Sequence, residues 1–317
     1  MKKRILCLVL CGLLLCGCGA QASEETRLPG HAVEIQLPET YPAQTEAPEL
    51  TEPQWETQDL ETQPPTIPDE IDFTTLEGLQ SYTTFLNWVY GVEIHIAEDV
   101  LTVTPWDYDL EPETDVAVIA ENLGSLEQWL SNYPQDMLAT VSEACGGLHI
   151  SLVRGIYGKK GLGGIPTAAG LQYEDNGIPY IALTSSENAE YTLYHELCHI
   201  LEPYIIKHSS WYDHWESMNP PDFTYDYDYI QNQYRNGSAY LQTGTRSFID
   251  AYSMSFPTED RARIMEYAMT PNHAFLFDSP IMQEKLTTIS MAIREAFSLT
   301  DSEEVYLWEQ YIQPPNP

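Results

Sequence analysis

The sequence predicts an α+β domain in which a small, mostly antiparallel sheet comes early and helices form the C-terminal half. Three observations support this prediction. Apolar residues recur at helical spacing near both ends of residues 71–317. Short β-like segments lie between residues 92 and 183, and an Asn-Gly dipeptide separates two of them as a hairpin turn would.

The first elements of the domain are predicted from hydrophobic periodicity. A helix is expected over Thr75–Tyr90, where apolar residues recur every three or four positions, and a strand over Val92–Ile96, where they alternate. Two helices divided near Pro134 are expected within Leu123–Cys145. A second strand is expected over Leu148–Val153.

A hairpin and then helices are predicted to follow. Asn176-Gly177 stands between the segments Gly170–Tyr173 and Pro179–Leu183, and this dipeptide suits the positive φ angles of a type I′ turn. The helix after the hairpin has three candidate N-caps, namely Thr184, Ser185 and Ser186. Later helices are expected around Thr258–Met269, Ser279–Phe297 and Asp301–Ile312.

The composition restricts the possible classes of function. The chain of 317 residues has 14 Lys and Arg against 48 Asp and Glu, a formal net charge of -34. This charge would repel the phosphates of nucleic acids, so we expect no nucleic-acid partner. Mean hydropathy is -0.30 and the long apolar run is confined to the N-terminus, which argues against a multispan membrane protein.

The N-terminus has the pattern of an export signal. A basic start, Met1–Arg4, precedes the apolar run Ile5–Leu15, and small residues follow. Residues 15–18 read Leu-Cys-Gly-Cys and resemble the bacterial lipobox. The resemblance implies a signal peptide over residues 1–17, a lipidated Cys18 and attachment to the outer face of the cytoplasmic membrane. An ordinary signal peptide and an uncleaved anchor helix are the alternatives.

The predicted domain organisation has a tether between the anchor and the folded part. Residues 18–70 are acidic and rich in Pro, Thr, Glu and Gln, with few apolar residues, so we expect a disordered, self-repelling spacer. Residues 71–317 form the folded domain. Its cysteines are Cys145 and Cys198, and the sequence leaves open whether they pair.

Residues 195–199 of the helix after the hairpin read His-Glu-Leu-Cys-His, an H-E-x-x-H motif. Two imidazoles one turn apart can reach one Zn²⁺, while Glu196 addresses a water on the metal. In helical projection His199 lies about 40° from His195 and Glu202 close to the same side, opposite the apolar residues of the helix. Pro203 is expected to end the helix just beyond. The motif therefore predicts a zinc site facing a cleft.

Two histidines leave a catalytic zinc short of a third protein ligand. Ile205 stands where the three-histidine form of the motif would carry its last ligand, so that form is excluded. The candidates by residue type are His208, His214, Asp250, Glu259, Asp260, Glu266 and His273. Spacing alone does not choose among them.

A second segment resembles a known family. Residues 247–263 read SFIDAYSMSFPTEDRAR. They resemble the second signature of the anthrax lethal factor and Pro-Pro endopeptidase group of gluzincin metallopeptidases, where a Tyr precedes the ligand Glu by seven positions and an Ala follows it by three. Tyr252, Glu259 and Ala262 match, and Glu202 stands where the group has an acidic residue, although the group's aromatic pair is Asp260-Arg261 here. The chain also is similar to lipid-anchored bacterial proteins described as zinc-binding metallopeptidases.

The resemblance implies a zincin-like catalytic domain, a cell-surface zinc metallopeptidase and one Zn²⁺ per chain. The roles that it implies are zinc ligation by His195, His199 and Glu259, general-base catalysis by Glu196, oxyanion binding by Tyr252 and orientation of an imidazole by Glu202. It also implies that the substrate, an extended peptide, pairs with an edge strand, expected to be Pro179–Leu183. The alternatives are a catalytically inactive, lipid-anchored binding protein on the same fold and a peptidoglycan-directed zinc amidase.

Overall fold

The computed structural model describes residues 71–101, 105, 108–134, 136–158, 168–227 and 237–314. The predicted signal peptide, Cys18 and the tether over residues 18–70 lie outside these residues. Within the described part of the chain, every helix is too short or too polar to span a bilayer.

The domain combines helices and a small sheet, as the sequence predicts. In chain order the elements are α1 (Leu76–Tyr90), β1 (Glu93–His95), β2 (Tyr108–Pro112), α2 (Val116–Leu130), α3 (Met137–Cys145), β3 (His149–Gly158), β4 (Gly170–Asp175), β5 (Ile178–Thr184), α4 (Ala189–His208), α5 (Pro257–Ala268) and α6 (Pro280–Ala296). Short 3₁₀ helices include Trp211–Met218, Tyr252–Met254 and Leu307–Glu309. The α+β class is therefore confirmed.

The sheet is mixed, and the prediction of a mostly antiparallel sheet is wrong. The strand order is β1-β3-β5-β4, and β2 also pairs with β3. β3 runs parallel to β1 and to β5, whereas β2 is antiparallel to β3 and β4 is antiparallel to β5. The local pattern identifies strands but not their neighbours, since parallel pairing depends on long crossover connections. β2 itself was not predicted.

The hairpin between β4 and β5 has the predicted turn. Asn176 has a φ of 53° and Gly177 a φ of 82°, both in the left-handed region that a type I′ turn requires. Asp175 pairs with Ile178 across the turn. The Asn-Gly signal therefore sets the register of β4 against β5.

Helix α4 differs from its prediction at both ends. It starts at Ala189, with Asn188 at the N-cap position and no side-chain cap, so none of the three candidate residues caps it. At the other end it continues through Pro203 to His208. Proline removes one backbone hydrogen bond, but burial of Leu201 and Ile205 on either side of it keeps the helix intact.

The two faces of the sheet bury different clusters. One face packs on the helices, including α4, through Ile94, Ile150, Leu152, Ile181 and Leu183. The opposite face carries a smaller cluster formed by Val100, Leu110, Val153, Ile156, Tyr173, Tyr180 and Ala182. Successive residues of a strand point to opposite faces, so this division follows from the alternation along β5 and along β3 as far as Val153. Beyond Val153 the register of β3 against β2 shifts, and Ile156 joins the same cluster as Val153. The apolar side of α4, with Leu193 and Leu197, lies in the larger cluster.

The predicted helix over Asp301–Ile312 is replaced by irregular chain with a short 3₁₀ helix at Leu307–Glu309. Arg294 of α6 holds this segment. Its guanidinium donates to both carboxylate oxygens of Glu309 and to the backbone carbonyl oxygens of Leu299, Ser302 and Glu304. These bonds satisfy carbonyl groups that a regular helix would use internally.

Candidate metal centre

Helix α4 presents both histidines of the motif on one face. The Nε2 atoms of His195 and His199 are 3.2 Å apart, and the two rings meet edge to face with centroids 4.8 Å apart. Their separation by four residues in a regular helix produces this arrangement. Both side chains are largely buried, with exposed fractions of 12% and 18%.

Helix α5 brings Glu259 to the two histidines of α4. Pro257 stands in the first turn of α5, where proline is well tolerated, and Glu259 follows two residues later. Its Oε2 lies 3.1 Å from Nε2 of His195 and 3.5 Å from Nε2 of His199. One ligand atom from each of these three residues lies within 4.8 Å of the other two.

The surroundings of Glu259 and His195 shift their pKa values in opposite directions. Burial alone would raise the pKa of Glu259, but the imidazoles of His199 and His195 bring it well below its ordinary value. Burial alone would lower the pKa of His195, but hydrogen bonds to Glu259 and Glu266 raise it to about 10. The ring of His195 thus lies between two carboxylates, with Nε2 facing Glu259 and Nδ1 facing Glu266.

Glu266 contacts Nδ1 of His195, the ring nitrogen that does not face Glu259. The sequence did not predict this contact. Nδ1 of His195 donates to Oε2 of Glu266 at 3.1 Å. Arg263 in turn binds both Glu266 and Asp250. Glu266 was one of the open candidates for the third ligand. Its position seven residues after Glu259 could have indicated its contact with His195, because residues seven apart lie on one face of a helix.

Glu196 lies beside the histidines and is half-buried. Burial raises the pKa of its carboxyl group above the ordinary value, against the opposing effect of His195 and His199. The backbone N–H of Gln172 donates to the same carboxyl group and also opposes the shift. Since Gln172 belongs to β4, this bond places β4 next to Glu196.

The strand at the border of the sheet is β4, which corrects the expectation that Pro179–Leu183 is the edge. These residues belong to β5, which lies between β3 and β4. Among the described residues, no strand pairs with the outer side of β4. The hairpin pattern predicted the two strands but could not tell which of them has a further neighbour.

Tyr252 lies in the 3₁₀ helix just before α5, and its ring centroid is 6.2 Å from that of His195. The structure thus brings together His195, Glu196, His199, Tyr252 and Glu259. The other candidate ligands contact different groups: Asp250 binds Arg263, Asp260 binds Lys285, His273 meets the Tyr191 hydroxyl, and His208 and His214 are exposed.

Glu202 contacts Arg261 rather than an imidazole. Both of its carboxylate oxygens accept from the Arg261 guanidinium, and both side chains are 6% exposed. The pair joins α4 to α5. The predicted orientation of an imidazole by Glu202 is therefore replaced by a buried ion pair that holds the two ligand-bearing helices together.

A second buried ion pair joins α5 to α6. Asp260, which follows Glu259, accepts from Nζ of Lys285 at 2.7 Å and from the Tyr225 hydroxyl at 2.7 Å. The side chains of Asp260 and Lys285 are both fully buried. Breaking such a pair leaves an uncompensated charge, so the first turn of α5 is strongly constrained.

Comparisons with known proteins yield one distant structural likeness. No family model matches the chain, and no curated protein matches it. The structure is similar to the crystal structure of a "putative zinc-binding metallo-peptidase" from Bacteroides caccae ATCC 43185, with a TM-score of 0.49 and 17% identity, over 74% of this chain and 89% of that one. At this level of similarity, the geometry of the site's own residues is what indicates its function.

Proposed function

We propose that the protein is a zinc-dependent metallopeptidase of the gluzincin type. The observation that carries this proposal is the convergence of His195, His199 and Glu259 from two helices, with Glu196 beside them. Two imidazoles and one carboxylate are a donor set of catalytic zinc sites, which keep a further position open. The donor set therefore fits one Zn²⁺.

The residues around the site have the properties that peptide hydrolysis needs. Bound Zn²⁺ would supply Lewis acidity, polarising the scissile carbonyl and lowering the pKa of the attacking water. Glu196 would accept the proton of that water and pass it to the leaving amine; its raised pKa suits a group that both takes and gives a proton. Tyr252 would donate a hydrogen bond to the oxyanion that develops on the carbonyl.

We place the substrate along β4. An extended peptide can add to the border of a sheet through main-chain hydrogen bonds. β4 lies at the border, and Gln172 in its middle contacts Glu196. A peptide paired with β4 would thus pass the general base. This replaces β5 as the proposed binding strand.

On the sequence pattern alone, we propose that the protein is exported and held on the outer face of the membrane by lipid on Cys18. The acidic tether would then keep the catalytic domain away from the membrane surface. Metabolic labelling with a fatty acid tests this proposal. Label should enter the wild-type chain and not the Cys18→Ala variant.

The catalytic proposal is tested by combining metal analysis with a peptide-library assay. Glu259→Ala should lose about one zinc per chain and all hydrolysis. Glu196→Gln should keep the zinc but lose roughly 10²–10⁴-fold in rate. Glu284→Gln is the matched control because Glu284 is an exposed carboxylate outside the cluster of His195, His199 and Glu259. Undiminished hydrolysis by Glu196→Gln, or no cleavage by zinc-loaded wild type, would refute the peptidase assignment.

A further inference from the structure

A second group of side chains that could hold a metal ion lies on the other face of the sheet. Glu93 and His95 belong to β1, and His149 begins β3. Glu93 pairs directly with His149 in the parallel register, and His95 stands two residues farther along β1. Residues two apart in a strand share a face, so the backbone alone places all three side chains together.

The distances join the three side chains into one cluster. Nε2 of His95 is 2.8 Å from Nδ1 of His149, and Oε2 of Glu93 is 3.5 Å from the same Nδ1. One ligand atom from each residue lies within 4.8 Å of the others. Two ligands of a tetrahedral zinc are about 3.3 Å apart, given bonds of about 2.0–2.1 Å. The two imidazole nitrogens would therefore have to separate by about half an ångström, and the exposed side chain of Glu93 can turn to bring its carboxylate to the ion.

The ring of His149 is held so that Nδ1 faces the cluster. It stacks on Tyr180 with centroids 4.4 Å apart, and the His95 ring lies nearly parallel to it at 5.1 Å. On the other side, a Cβ at Gly147 would lie 2.8 Å from Nε2 of His149, and Gly147 has a φ of 144°. Glycine at this position therefore allows the close approach of backbone to the ring.

The cluster is open to solvent on one side. The side chain of Glu93 is 53% exposed and that of His149 is 10% exposed, with His95 between them in burial. An ion could enter past Glu93 and complete its coordination with water. The neighbouring residues Ile94 and Ile150 point to the opposite face, into the core that packs on α4, so the sheet separates this cluster from the site on α4 and α5.

We propose that Glu93, His95 and His149 bind a second Zn²⁺ ion. Two imidazoles and a carboxylate suit a borderline divalent ion, and an ion held between them would link the three-residue edge strand β1 to β3. Binding to the folded state alone would also stabilise the domain. This site is independent of the proposed peptidase activity, since it shares no ligand with His195, His199 or Glu259.

The test counts zinc on the untagged full-length chain, loaded with zinc and passed through gel filtration to remove weakly bound ions. The main comparison is between wild type, His95→Ala, His199→Ala and the variant that carries both substitutions. His214→Ala is the matched control because His214 is exposed and belongs to neither cluster. Glu93→Gln, which changes an exposed side chain, tests the site without loss of packing.

We expect roughly two zinc ions per wild-type or control chain, one in each single variant and none in the double variant. In the His199→Ala background, added zinc should raise the melting temperature, and Glu93→Gln or His95→Ala should reduce or abolish this rise. Zinc content that does not change with His95→Ala and Glu93→Gln would overturn the proposal and leave a hydrogen bond between two neutral imidazoles. One zinc per wild-type chain that is lost in His199→Ala and kept in His95→Ala would likewise overturn the proposal, while supporting the site on α4.

Discussion

Glu266 accepts a hydrogen bond from Nδ1 of His195, on the side of the ring opposite the Nε2 atom that faces Glu259. A carboxylate in this position fixes the tautomer of a ligating histidine, because the proton on Nδ1 leaves the lone pair on Nε2 for the metal. Arg263 holds Glu266 in turn. The orientation of His195 thus depends on α5 as well as on its own helix.

The Glu266→Gln variant should bind zinc at the α4 site about 10–100-fold more weakly while remaining folded. The neutral amide keeps the size of the side chain but weakens its hold on the imidazole and on Arg263. Competition with a chromogenic chelator measures the affinity, with Glu284→Gln as the control. An affinity equal to that of wild type would show that Glu266 does not position His195.

The Glu202–Arg261 pair should contribute to stability more than to zinc binding. Glu202→Gln leaves Arg261 buried without its counter-ion, so we expect a loss of about 3–5 kcal/mol in the free energy of unfolding. Urea denaturation measures this loss. The double variant Glu202→Leu with Arg261→Met should recover part of it because no unpaired charge remains. Weaker zinc binding with unchanged stability would instead support an orienting role for Glu202.

Tyr252→Phe should retain zinc and lose about 10²-fold in kcat, with little change in KM. The hydroxyl is proposed to bind the oxyanion, which develops only in the transition state, so substrate affinity should depend on it weakly. Steady-state kinetics on a cleaved library peptide measures both constants. A rise in KM with unchanged kcat would assign Tyr252 to substrate binding instead.

The Arg294–Glu309 interaction should make stability depend on pH in the acid range. Burial raises the pKa of Glu309, but hydrogen bonds from Arg294 and Ser290 lower it below the ordinary value of 4.5. A lowered folded-state pKa means that the stabilisation is complete above the ordinary value and is lost as the pH falls through the folded value. Glu309→Gln should therefore be about 1–3 kcal/mol less stable than wild type near neutral pH.

That difference should shrink as the pH falls through the lowered pKa of Glu309, because the wild-type carboxyl then also becomes neutral. Urea midpoints at neutral pH and at about pH 3 measure it. Glu284→Gln, an exposed carboxyl without these contacts, serves as the reference. A constant difference at both pH values would show that packing of Glu309, rather than its charge, supports the C-terminal segment.

The sequence by itself determined the features that depend on spacing within one element. Four residues between His195 and His199 place them on one helical face, and Asn176-Gly177 sets a type I′ turn. The approximate bounds of α1, α5 and α6 likewise follow from periodicity and local signals. These features need no knowledge of distant contacts.

Only the tertiary structure decided which elements become neighbours. It placed β4 rather than β5 at the border of the sheet, and it let α4 continue through Pro203 because packing outweighed the local preference. It also gave Glu202 and His195 their partners on α5 and brought His149 beside β1. Pairing between strands and packing between helices depend on side chains far apart in the chain, and no local spacing encodes them.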